Sequence, residues 1–206
     1  MDLSRPTTTL LGRVDSGVLA VLYRSERPLT VREVQRLAET GSYEGIRLAL
    51  RRMAESGLLH VDERTSGTFY LLNRDHLAYP ALEALFGMRR RFSQLVGETI
   101  EGWPQAPVHV SLFGSYVRQD GGVDSDIDVL VVFDDQSYED DDRWAEQVGS
   151  LERSIQQWTG NTATVLTMSA SDLKAMATGR RSNALWKSLR SDALLVYGRE
   201  LTKVSR

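Results

Sequence analysis

Val108-His-Val-Ser-Leu-Phe-Gly-Ser-Tyr-Val-Arg-Gln-Asp-Gly-Gly-Val-Asp-Ser-Asp-Ile-Asp-Val-Leu-Val-Val-Phe133 is the stretch on which the reading of this chain turns. Two apolar runs of strand character flank it. The first ends in Gly114-Ser115, and the second opens with Asp126-Ile127-Asp128. Residues two apart on an extended strand share a face. Asp126 and Asp128 therefore present two carboxylates side by side while Ile127 points to the core. Like charges that close raise a pKa unless a cation lies between them. Mg²⁺, held by one or two carboxylates plus phosphate oxygens, meets that demand. Gly114 lets the backbone approach an anion, and the amides and hydroxyl around Ser115 suit a phosphate. A surface turn closing a hairpin explains Asp120-Gly121-Gly122. It does not explain Asp at alternate positions of an otherwise Val/Leu/Ile strand, where charge is disfavoured.

The order of these parts is an apolar strand, Gly-Ser, a spacer from Tyr116 to Ser125, then Asp-x-Asp on a second apolar strand. It resembles the nucleotidyltransferase superfamily that shares the polymerase-beta catalytic core. The spacing also resembles the minimal nucleotidyltransferases that act as antitoxins beside HEPN ribonucleases. The resemblance implies a nucleoside triphosphate lying against Gly114 and Ser115, and Mg²⁺ (or Mn²⁺) held by Asp126 and Asp128, the catalytic pair. An acceptor hydroxyl would attack the α-phosphorus, and pyrophosphate would leave. Arg118 stands where minimal members carry a basic residue, which makes it a candidate phosphate contact; pairing with a nearby Asp is its competing role. The family also carries a third acid on a later central strand. Here that strand reads Asn161-Thr-Ala-Thr-Val-Leu-Thr-Met168 and holds none, with Thr164 in its place. Two functions stay open: a transferase with reduced base chemistry, or a domain that binds nucleotide and regulates.

Composition narrows the classes. The chain has 206 residues, 41% hydrophobic, enough for one large domain or two small ones. It has no cysteine, which excludes disulfides, thiolate zinc sites and cysteine nucleophiles. No apolar run reaches about 18 residues, and the first residues lack a signal-peptide pattern; the expectation is a cytoplasmic protein without membrane contact. Net charge is −3 and unevenly spread: residues 1–79 hold 11 Lys/Arg against 10 Asp/Glu, residues 106–206 hold 11 against 15. Any claim of nucleic-acid binding must therefore rest on local pattern.

The first 79 residues carry such a pattern. A helix is expected from Val14 to Arg24, with Asp15 or Ser16 to cap it. Thr30-Val-Arg-Glu33 is a capping box opening the helix Val31–Ala38. Ser42 caps the next helix, Tyr43 to Ser56, and Gly57 stops it. Two alternating segments joined by Arg64-Thr-Ser-Gly67 read as a hairpin. The order resembles a winged helix-turn-helix of the MarR and ArsR kind. That resemblance implies double-stranded DNA as partner, with Tyr43, Arg47 and Arg51 on the helix entering the major groove and Arg64 at the wing tip. Pairing of Arg51 and Arg52 with Glu55 is the plainer alternative.

From Pro80 to about Gly102, apolar residues recur at helical spacing, interrupted by Arg89-Arg-Arg91. This helix reads as a linker and a candidate homodimer contact. The acidic run Asp134–Asp142 reads as a solvated loop. Trp144, Val148, Leu151, Ile155 and Trp158 mark a core-facing helix, and Ala193–Tyr197 a last strand. The expectation is an α+β chain: a winged helix-turn-helix at 1–79, a connecting helix at 80–105, and a nucleotidyltransferase α/β domain with a mixed sheet at 106–206. Its function would be transfer of a nucleoside monophosphate to a protein or small-molecule acceptor, coupled to DNA binding. The alternatives are a nucleotide-sensing transcription regulator, or an antitoxin with a toxin partner.

Overall fold

A computed structural model describes residues 1–136, 141–179 and 184–205. The chain divides into two compact units: residues 6–88, and residues 89–206 together with residues 1–5. Each is an α+β body with its own core.

In the unit of residues 6–88, a short 3₁₀ turn Pro6–Thr9 precedes α1 (Arg13–Arg24). Neither residue expected to cap α1 does so. Gly12 is the cap, Asp15 reaches instead to Arg52, and Ser16 is buried in a hydrogen bond with Thr7. β1 (Leu29–Thr30) leads into α2 (Val31–Ala38), whose capping box is complete: Thr30 Oγ1 accepts from the Glu33 amide while Glu33 accepts from the Thr30 amide at 2.8 Å. Ser42 caps α3 (Tyr43–Glu55) by accepting from the Gly45 amide. Gly57, at φ +77°, ends it; its amide bonds the Ala54 carbonyl and the Leu58 amide bonds that of Met53. That pair of bonds is a Schellman close, which needs a left-handed residue there. β2 (Leu59–Arg64) and β3 (Gly67–Leu72) form the hairpin, and β1 adds antiparallel to β3, giving the order β1-β3-β2. Val18, Leu22, Val34, Ile46 and Leu50 are fully buried between helices and sheet. Each contributes about 1.5–3 kcal/mol of apolar burial.

The helix expected across residues 80–102 is two helices. α4 (Tyr79–Phe86) starts with Pro80 in its first turn, and Gly87 is its C-cap. α5 (Met88–Glu101) then begins. Leu82 of α4 is buried in the core of residues 6–88, whereas Phe92, Val96 and Ile100 of α5 are buried in the other core. One amphipathic stripe thus serves two cores, and glycine stands where they part.

The second unit is built on a mixed sheet of order β6-β5-β4-β7. β4 (His109–Phe113) and β5 (Ile127–Phe133) pair antiparallel, with α6 (Ser115–Arg118) between them in sequence. α7 (Asp141–Thr159) crosses over so that β6 (Ala163–Ser169) pairs parallel with β5. α8 (Ala170–Thr178), α9 (Ala184–Asp192), β7 (Leu194–Gly198) and α10 (Leu201–Val204) complete it, β7 lying antiparallel to β4. Ile127, Val129, Val131 and Phe133 face α5 and α7, where Leu151 and Ile155 are fully buried and Trp144 and Trp158 are partly so, as their spacing predicts. Leu130 and Val132 face the opposite side, against Leu173 of α8 and Leu189 of α9. Of the acidic run, Asp135 accepts from the Ser171 amide, and residues 137–140 lie outside the described ones. No helix among the described residues is long and apolar enough to cross a membrane.

Candidate functional site

β4 ends at Phe113, whose register partner on β5 is Asp128. The next residue, Gly114, takes φ +70°, ψ −150°, a conformation that residues with a Cβ rarely adopt. A Cβ there would run into the Asp128 carboxylate, with Cγ at 3.1 Å. The Asp128 side chain therefore lies directly over the Gly114-Ser115 turn. Two separate demands, backbone angle and space, fall on the same glycine.

Asp128 is half-buried, and Asp126, one residue before β5, is exposed. Burial pushes the Asp128 carboxyl above its ordinary value; the charge of Asp126 pushes it further, and Arg118 opposes the shift. Neither carboxylate has an ion-pair partner among the described residues. The donor set suits a divalent cation: two carboxylates, one of them partly desolvated. Among the described residues no group of three or more His, Cys, Asp or Glu gathers to hold a metal. Thr164 of β6 is the register partner of Asp128, so the two side chains emerge side by side on one sheet face.

The loop from Gln119 to Ser125 returns close to the turn. A Cβ on Gly121 would stand 3.0 Å from both the Ser115 and Ser125 hydroxyls. Ser115 thus lies between the Asp128 side and the returning loop. Arg118 is engaged by Asp120 at 3.0 Å and Asp192 at 3.5 Å. Its competing role as an ion-pair partner is therefore present, and both acids raise its pKa.

Three contributors were not legible in the sequence. Arg89 donates to the Tyr116 carbonyl at 2.7 Å and lies over the Tyr116 ring, whose hydroxyl donates back to the Arg89 carbonyl. Within the tract 89–91, this arginine grips the helix after Gly114, while Arg91 pairs with Glu98. Asp192 reaches Arg118 across 74 positions. Asn161 holds the loop before Asp126. Single polar residues at long separation leave no periodic signal.

In the other unit, Tyr43, Arg47 and Arg51 share one face of α3, and all three act electrostatically on Tyr70 of β3. Arg47 is bidentate to Glu44 at 2.8 and 2.6 Å, Arg51 pairs with Glu55 at 2.8 Å, and Arg52 with Asp15 at 2.6 Å. Arg64 pairs with Asp62 at 2.6 Å and lies over the Phe69 ring. The plainer alternative for Arg51 is thus what the free chain adopts; Arg52 chooses a more distant acid.

The model of the nucleotidyltransferase domain family matches residues 93–168. The match runs from α5 through β6 and contains Gly114, Ser115, Asp126, Asp128 and Thr164. This segment of the chain is similar to that family in sequence and carries a mixed sheet. No curated protein and no solved structure matches the chain.

Proposed function

We propose that the unit of residues 89–206 binds a nucleoside triphosphate with Mg²⁺ or Mn²⁺ and moves its nucleoside monophosphate to a protein or small-molecule acceptor. The observation that carries this reading is the Asp128 carboxylate laid over the Gly114-Ser115 turn, with Asp126 close enough to raise its pKa. Asp126 and Asp128 are the residues that would hold the cation, which when bound neutralises phosphate charge and stabilises the oxygens of an in-line displacement. Ser115 and the backbone around Gly114 orient the phosphates, and Arg118 joins them by exchanging its bond to Asp192. The acceptor oxygen forms a bond to the α-phosphorus as the bond to pyrophosphate breaks. The acceptor's proton leaves to solvent, because Thr164 offers no base. Incubation with each labelled nucleoside triphosphate and Mg²⁺, with and without cell lysate, tests the reading: label transferred to an acceptor supports it, and no transfer with any of the four speaks against it.

A second reading rests on Thr164. With a hydroxyl beside Asp128, the unit binds nucleotide without transferring it and acts as a sensor. Thr164→Asp separates the two. Transfer that appears or rises by an order of magnitude in this variant supports the sensor, whereas strong wild-type transfer left unchanged supports the enzyme.

The order α1-β1-α2-α3-β2-β3 with its three-stranded antiparallel sheet supports reading residues 1–79 as a winged helix-turn-helix. In that reading α3 presents Tyr43, Arg47 and Arg51 to double-stranded DNA and Arg64 stands on the wing. Of residues 80–105, α4 then closes that unit and α5 begins the unit of residues 89–206. Binding must appear as a salt-dependent affinity, because phosphate contacts release counterions; a salt-independent response rejects it.

A further inference from the structure

Asn161 is 5% exposed, yet all three of its side-chain hydrogen-bonding directions in use are well made. Its Nδ2 donates to the Val123 carbonyl at 2.9 Å and to the Ser125 carbonyl at 3.0 Å, and its Oδ1 accepts from the Met1 nitrogen at 2.7 Å. A buried amide satisfied on both ends fixes what it touches. What it touches is the chain entering Asp126. On the other side of Asp126, the Ile127 amide donates to the Thr162 carbonyl at 2.9 Å. Consecutive residues 161 and 162 therefore hold the backbone on both flanks of Asp126. The turn is closed from within as well, since the Gly122 amide donates to Ser125 Oγ at 2.7 Å. Asn161 itself is set by Gly160 at φ +74° and by its own amide's bond to Thr159 Oγ1 at 3.0 Å. Asp126, by contrast, is exposed and its side chain makes no hydrogen bond among the described residues. Its position is a property of its backbone.

We propose that Asn161 is a positioning residue of the nucleotide site, whose side-chain amide holds Val123 and Ser125 so that the Asp126 carboxylate stands beside that of Asp128. The inference rests on the reading of these two aspartates as cation ligands. Residues that orient metal ligands change metal affinity by about 10–100-fold when lost, although they never touch the ion.

Mn²⁺ binding to the full chain, followed by water-proton relaxation, tests this without requiring an acceptor or a known nucleotide. Asn161→Ala weakens Mn²⁺ by about 10–100-fold. Asn161→Asp keeps the size and the acceptor for Met1 but turns a carboxylate toward two carbonyls, so it binds no better than Asn161→Ala. Asn161→Ser, with one short donor, falls between and serves if the alanine variant does not fold. Val148→Ala, on the α7 core face, lowers the melting temperature with Mn²⁺ affinity unchanged, which separates lost stability from lost positioning. Wild-type affinity in folded Asn161→Ser or Asn161→Asp overturns the inference while leaving the site intact. If Asp128→Asn leaves Mn²⁺ affinity unchanged, the reading of the aspartates fails first, and the role of Asn161 with it.

Discussion

Arg47, Arg51, Arg52 and Arg64 in the unit of residues 6–88 each face a carboxylate at 2.6–2.8 Å. In the other unit Asp128 feels the charge of Asp126, and Arg118, the cation that opposes it, is already shared between Asp120 and Asp192. The two regions hold their charges in opposite conditions. On α3 the protein has compensated its own charges, so a polyanion can bind only by exchange. Exposed pairs are worth about 0–1 kcal/mol, which makes exchange cheap but its net gain small and sensitive to salt. Over Gly114 the protein has left Asp128 partly desolvated beside the charge of Asp126, with neither in an ion pair among the described residues. A cation arriving there relieves repulsion that the fold itself maintains. The stronger call for a ligand comes from the smaller site.

The largest effect that sharpens this contrast is expected from Asp128→Asn. Nucleotide binding in the presence of Mg²⁺ should be lost, a change beyond the ~10–100-fold seen when only a supporting residue goes. Stability should move the other way. The folded-state pKa of Asp128 is raised, so its ionised form at neutral pH opposes folding, and a neutral amide removes that opposition. Calorimetry should show a higher melting temperature for residues 89–206. A lower one, with nucleotide affinity intact, would break the comparison.

Gly114→Ala comes next. The left-handed backbone costs about 1–3 kcal/mol for a residue with a Cβ, and the methyl displaces the Asp128 carboxylate. Denaturant unfolding should show that loss, together with weaker nucleotide binding. A variant as stable as wild type would mean that the turn relaxes freely.

Removing Arg47 and Arg51 together tests the compensated face. Under the DNA-binding reading, base-contacting arginines contribute about 1–3 kcal/mol each, and phosphate contacts lower the salt slope by roughly one apiece. Affinity measured against salt concentration separates the two kinds. An unchanged affinity and slope would leave α3 without a role in DNA binding.

The smallest effect distinguishes the two units by pH. His109 is buried, its Nδ1 bonded to the Arg199 carbonyl and its Nε2 to Ser111, and burial lowers its pKa. A lowered histidine gives stability that is whole above its unfolded value near 6.5 and is lost as pH falls below it. Glu33 is lowered from 4.5 to about 2, chiefly by the Thr30 amide of its capping box; its contribution is whole above 4.5 and lost between there and about 2. Acid should therefore loosen residues 89–206 first, and chemical shifts of both units followed from pH 7.5 to 3 would show it. His109→Gln should remove the upper step.

Much of this arrangement could be read in the chain because it depends on short-range rules. The Thr30–Glu33 box, the Ser42 cap and the Gly57 stop are local chemistry. So is the period-2 pattern that brings Phe113, Asp128 and Thr164 into line across three strands, since a slip by one residue would have turned Asp128 toward the core that Val129 and Val131 fill. What escaped is long-range. Periodicity marks α5 as one-sided but does not say which sheet covers it, so the break at Gly87 was invisible. The choice of Asp15 by Arg52, 37 residues away, and of residues 123 and 125 by Asn161 depends on tertiary placement. On α3 the Arg51–Glu55 pair was foreseen, while Arg52 pairs with Asp15 in place of Glu55 and the Arg47–Glu44 pair was not foreseen.

Residues 1–5 pack with residues 89–206, with Leu3 buried in that core and Ser4 bonded to the Gly121 carbonyl. In the language of domain grafting, the unit of residues 6–88 is therefore an insertion and the sheet unit is its discontinuous host. A fragment beginning at Arg89 is not the host but the host with one stave missing: it lacks Leu3 and the donor that completes Asn161. Residues 6–88 form the continuous unit, and residues 89–206 with residues 1–5 the discontinuous one.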